Sequence, residues 1–130
     1  MKLRLCLLGL AVFQVVIAVL VWINFDATVD ALDGTKLAPN HNAAVGAAQG
    51  ALAVHLVLAV LSVVFARITP AGRARVRATI MLAITAVGGV AAMALPAQTY
   101  LSPIGVALAL AALGLLWIRP ARRPDSVRPR

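Results

Sequence analysis

Few residues of this 130-residue chain can do chemistry: two histidines, one cysteine and four acidic groups, all of them aspartate. His55 falls near the middle of a long apolar run, and two other runs place Gln14 and Thr85 at a comparable depth. Three polar side chains at one level suggest a hydrogen-bonded layer. An ionisable group inside a membrane span is by default a proton-handling or ligand-binding candidate. The plainer chemistry is an interhelical clamp, worth about 0.6–2 kcal/mol per bond. No acid lies at that depth, and this favours the clamp. His41 and His55 are fourteen residues apart, nearly on one helical face and about 21 Å apart along the axis. That spacing resembles the histidine pairs of b-type cytochrome helices. Bis-histidine haem ligation would need partners from another helix, and with no third histidine only a homodimer could supply them. Asp26, Asp30 and Asp33 follow a three-four spacing that could line one face of a short surface helix, with His41 nearby. Calcium or zinc asks for a tighter ligand set. A solvated acidic loop explains these residues, so no metal and no cofactor is expected.

The remaining catalytic patterns are missing. There is no Ser-His-Asp or Cys-His set at a shared depth, no phosphate-cradling glycine loop and no His-Glu zinc-protease motif. The expectation is therefore not an enzyme. Cys6 cannot form an internal disulfide alone and reads as a small apolar group.

The elements that must position these residues follow from composition. The chain is 62% hydrophobic, only 12% charged and has a mean hydropathy of +0.96. Alanine fills 27 positions and glutamate none. A soluble domain carries about 25% charged residues, so this chain lacks the polar surface to coat a water-soluble globule. Four apolar runs stand out, giving helices at about 5–23, 43–65, 78–95 and 103–118. A hydrocarbon core about 30 Å thick needs about 20 helical residues. The fourth run is short, with Ser102 reading as an N-cap and Pro103 as the first helical residue. No alternating ten-residue segments point to a barrel, so helices must satisfy the backbone in lipid. The expected fold is all-α, a four-transmembrane-helix bundle over residues 1–118. A basic, proline-containing tail over 119–130 is expected to be disordered or to lie on the membrane.

Charge orients the bundle. Eleven of twelve Lys and Arg fall at the N-terminus (Lys2, Arg4), in the middle loop (Arg67, Arg73, Arg75, Arg77) or in the tail (Arg119, Arg122, Arg123, Arg128, Arg130). Four spans put all three places on one side, and the positive-inside rule makes it the cytoplasm. Loop 24–42, with Lys36 and three aspartates, becomes extracytoplasmic. The expected setting is the plasma (inner) membrane of a bacterium. Trp22 and Tyr100 then sit near the outer boundary and Trp117 near the inner one. Arg67, Arg73, Arg75, Arg77, Arg119, Arg122 and Arg123 are expected to meet anionic lipid head groups, at about 1 kcal/mol each. They have no groove-reading motif beside them, so nucleic acid is not an expected partner. The first run has the basic start of a signal peptide but lacks a small-x-small cleavage site, so it reads as a retained anchor.

Helices in lipid associate by close packing of small residues and by hydrogen bonds. The second run offers a stripe of Ala48, Ala51, His55, Ala59, Ser62 and Ala66. A second face holds Gly46, Gly50 and Ala53, which predicts a central helix with neighbours on more than one side. Matching stripes are Ala11, Gln14 and Ala18 in the first run, and Thr85, Gly88 and Ala92, with Gly89 alongside, in the third. The fourth has Gly105, Ala109 and Ala112. The alanine-, arginine- and valine-heavy, lysine-poor usage, with His41 followed five residues later by Gly46, resembles small four-span membrane proteins of GC-rich bacteria whose function is unknown. That resemblance implies the fold and no activity. Small multidrug-efflux proteins share this size but depend on an acid in the first helix, where this chain has Gln14; small fluoride channels carry a Gly-rich, Arg-containing signature missing here. The expected role is a structural or accessory subunit that self-associates or joins a larger membrane complex. The alternative is a small carrier or channel using the Gln14/His55 layer, and a more distant one is a haem protein through His41/His55 in a homodimer.

Overall fold

The computed structural model describes residues 2–68, 72–92 and 101–118. Every regular element in them is α-helical: α1 Lys2–Ile23, α2 Phe25–Leu32, α3 His41–Ile68, α4 Gly72–Ala92 and α5 Ser102–Trp117. The long helices follow the apolar runs because nothing inside α1, α3 or α4 breaks them: proline is absent from all three.

Their ends have local causes. Asn24 interrupts α1 by bonding its own side-chain Nδ2 to the Leu20 carbonyl, and Thr28 returns its hydroxyl to the Asn24 carbonyl. The expected loop 24–42 thus contains a short helix, α2. Val29 and Leu32, three residues apart, form its inner face and pack with Ala38, Ala44 and Ala48 of the following segment. Gly34 turns the chain at φ 75°, a conformation open to glycine. Asn40 Oδ1 then accepts from the Ala43 amide at 2.9 Å, capping α3. That cap starts α3 at His41, two residues before the apolar run.

α4 begins earlier than the sequence suggested, at Gly72 rather than 78, so Arg73, Arg75 and Arg77 lie in its first turns. Leu101, already helical, holds the cap position of α5. Ser102 is therefore the first helical residue, not the N-cap, and Pro103 the second. Pro96–Thr99, Tyr100 and the tail 119–130, with Arg119, Arg122 and Arg123, lie outside the described residues.

The centre of the molecule is α1. It packs along α3 on one side and α5 on the other; α5 in turn packs along α4, while α3 and α4 meet only slightly. The expectation that the second run would be central is corrected. α3 turns its alanine stripe, together with Leu58 and Phe65, toward its neighbours, and its Gly46, Gly50, Ala53 face is exposed. The stripes hold in part: Ala11, Gln14 and Ala18 are buried, as are Ala48, Ala59, Ser62 and Ala66, and Gly105, Ala109 and Ala112, while Ala51 and His55 are half-buried and Gly88 of the third stripe is exposed.

Polar side chains are buried within an apolar core, and many aliphatic ones face outward. Gln14, Ser62, Thr85 and Ser102 are buried. Val12, Val19, Val57, Ile84, Val87 and Leu110 are among many aliphatic side chains facing outward. α1 and α3 are each long and apolar enough to cross a membrane; α5 is apolar but has 16 residues.

Candidate functional site

The central contact between α1 and α3 is polar. Gln14 is the thirteenth of the 22 residues of α1, and His55 the fifteenth of the 28 residues of α3. Both therefore stand near mid-helix, and the antiparallel pairing brings them level. His55 Nδ1–H donates to Gln14 Oε1 across 2.5 Å. Gln14 is only 2% exposed, while the imidazole is half-buried. Small neighbours on the same stripes, Ala11 and Ala18 on α1 and Ala59 on α3, let the two backbones approach closely enough for this bond. With Nδ1 holding the proton, the neutral ring keeps Nε2 as an acceptor. The pair can act as a clamp, or hold a proton at Nε2.

Thr85 does not join it. Its hydroxyl donates to the Met81 carbonyl of its own helix at 2.9 Å. The physical reason is helix order: α4 lies on α5, and α5 stands between it and α1. Equal depth in the sequence placed Thr85 in the layer; lateral position excludes it. Ser62 is satisfied in the same way, by the Leu58 carbonyl at 2.7 Å.

The five glycines expected at packing faces divide. Gly105 sits against the ring of Phe13, so close that a Cβ there would collide with the ring edge. Gly89 faces Val106, whose Cγ2 a Cβ would meet at 2.6 Å. These two let α5 approach α1 and α4. Gly46, Gly50 and Gly88 have nothing within 4 Å of such a position and face outward.

The basic residues divide too. Arg67, Arg73 and Arg77 are exposed, as a head-group contact requires. Arg75 is half-buried and turned into the fold, which corrects its expected role. Its guanidinium lies 4.4 Å from the centroid of the Trp117 ring, and its Nη2 donates to the Leu116 carbonyl. Trp117 Nε1 donates in turn to Thr79 Oγ1 at 3.1 Å, and Thr79 donates to the Arg75 carbonyl at 2.9 Å. A cation thus satisfies a terminal carbonyl of α5 and opposes the negative end of that helix. Sequence reading missed this clasp. Its signal was an arginine and a tryptophan at the same end of two antiparallel apolar segments.

At the other end, His41 is exposed, with Nδ1 3.6 Å from Asp33 Oδ2. Asp26 and Asp30 are exposed on α2. His41 and His55 therefore engage different partners at different depths of α3. Comparison with protein-family models, curated proteins and solved structures finds no match to this chain.

Proposed function

We propose that this chain is a four-span inner-membrane protein, both ends cytoplasmic, that serves as a structural or accessory subunit by pairing with a second copy through α3. The aliphatic outer faces and buried polar groups support immersion in lipid. α5, at 16 residues, crosses as the shortest element, with the Arg75–Trp117 clasp near its inner end. The observation that carries the pairing is the uncovered stripe of Gly46, Gly50 and Ala53. Gly105 and Gly89 are consumed inside the chain, whereas Gly46 and Gly50 have open space above them. In lipid such a face gains from backbone-to-backbone approach. The stripe continues to Val57, also exposed, so a partner helix meets small or β-branched side chains over three turns.

The test is self-association in a bilayer, read by energy transfer between labelled copies. Gly50→Leu should weaken association about tenfold, the equivalent of about 1.4 kcal/mol. Association equal to that of the unmodified chain would remove the pairing face. The Gln14–His55 bond supports a second reading, a small carrier with its proton at His55. It requires a pH-dependent flux lost in His55→Ala; undiminished flux in that variant ends it.

A further inference from the structure

One flank of the α1–α3 seam carries three open cavities in a row. The largest of the three, about 480 Å³, is walled by Ala11 and Ala59 together with Val12, Val15, Val16, Val60, Val63 and Val64. The next, about 350 Å³, shares Val15 with it and adds Leu52, Leu56 and Trp22. The last, about 380 Å³, shares Trp22 and Leu52 and ends at Phe25 and Gln49. Shared walls make them one trough along the two helices. From Ala11 to Trp22 its α1 side rises about 16 Å along the helix. That length is half of a hydrocarbon core about 30 Å thick, one leaflet.

We infer that this trough holds one acyl chain of an outer-leaflet phospholipid, with the lipid's polar end at Gln49 and Trp22. The inference rests on the membrane reading above. Three features select this occupant. Polarity is graded as in a lipid: the innermost cavity is walled by apolar side chains alone, the indole of Trp22 enters at the next, and the amide of Gln49 stands at the outer mouth. The walls are preformed. Six of the eight residues of the largest cavity are valine, and a helical valine keeps one χ1 rotamer about 90% of the time. The Gln14–His55 bond fixes the two helices at the same depth. A rigid concave wall lowers the cost of ordering a flexible chain against it. A second protein helix is the poorer occupant. Helices approach best over small residues, and neither Gly46 nor Gly50 is among the residues that wall this trough.

The test uses the full chain, extracted in mild detergent and stripped of bulk lipid, then weighed intact by native mass spectrometry. One retained phospholipid per chain is expected. Val15 joins the two inner cavities, and Val15→Trp should fill them and lower retention about tenfold. Val87→Trp, on the exposed face of α4, should leave retention unchanged. The inference falls if the folded unmodified chain keeps no lipid, or if Val15→Trp keeps as much as the unmodified chain. It also falls if Val15→Cys cross-links two copies in native membranes, since a second chain would then occupy the trough. A chain that does not sediment with membranes removes the membrane reading itself. Insertion without lipid retention removes the trough alone.

Discussion

Gln14 and His55 illustrate what a single bond between helices contributes when both partners leave water. Removing one leaves the other buried and unpaired; removing both leaves an apolar seam of similar shape. Gln14→Leu and His55→Leu should therefore each destabilise the fold, and the double variant should cost less than the sum. The coupling should fall at about 0.6–2 kcal/mol in a double-mutant cycle read by denaturant-driven unfolding in detergent. Additive effects would mean the two residues do not act together. The glycines give a test with opposite signs. Gly105→Ala drives a methyl into the Phe13 ring and should cost about 1–3 kcal/mol through overpacking. Gly114 has nothing within 4 Å of a new Cβ. Gly114→Ala should instead gain about 0.5–1 kcal/mol from helix propensity. Thermal unfolding of the two variants decides it, and equal shifts would refute the packing of α5 on α1. The pairing of Gln14 with His55 was legible in the sequence because depth and stripe both pointed to it. The exclusion of Thr85 was not, because a periodic stripe says which way a helix faces but not which helix stands opposite.

The helices themselves were largely written in hydropathy; their ends were not. The aspartate spacing allowed a short surface helix where α2 lies, but its inner face escaped because only two of its eight residues are buried, and three aspartates in and beside it hide them in a polar segment. α4 was expected to begin beyond its arginines because a charge run reads as a loop. Arg75 shows why the helix continues through the run: its cation is engaged by α5. That engagement separates it from its neighbours. Arg75→Ala loses the stacking on Trp117 and the bond to the Leu116 carbonyl, and should destabilise the α4–α5 pair by about 1–3 kcal/mol. Arg73→Ala and Arg77→Ala, both at exposed positions, should stay within about 0.5 kcal/mol. Arg75→Lys should recover little, since an ammonium lacks the planar face that stacks on indole. Unfolding midpoints for the four variants check this, and three equal alanine effects would show that the arginines act only at the membrane surface.

For the molecule as a whole, helix order follows from where close approach is possible. α1 carries Ala11 and Ala18 toward α3 and accepts α5 through the contact of Phe13 with Gly105, so it becomes the hub. Every long helix carries small residues, and this kept the order out of reach of sequence reading. Orientation has a different origin, the arginines, and its decisive position is the connection between α4 and α5. If α1 and α3 alone cross the bilayer, both Arg73 and that connection remain on the cytoplasmic side. If all four long helices cross, Arg73 is inside and the connection is outside with Lys36. In a Cys6→Ala background, cysteines at Lys36, Arg73 and Gln98 separate these cases. An impermeant maleimide applied to intact cells should modify Lys36→Cys and Gln98→Cys, and should reach Arg73→Cys only after lysis. Protection of Gln98→Cys with labelling of Lys36→Cys would leave two spans, with α4 and α5 on the inner surface. The aliphatic faces of those helices argue against that arrangement. Ile80, Ile84 and Val87 on α4, and Ile104 and Leu110 on α5, are exposed. At about 25 cal/mol per Å², such faces are more stable among acyl chains than against water or head groups.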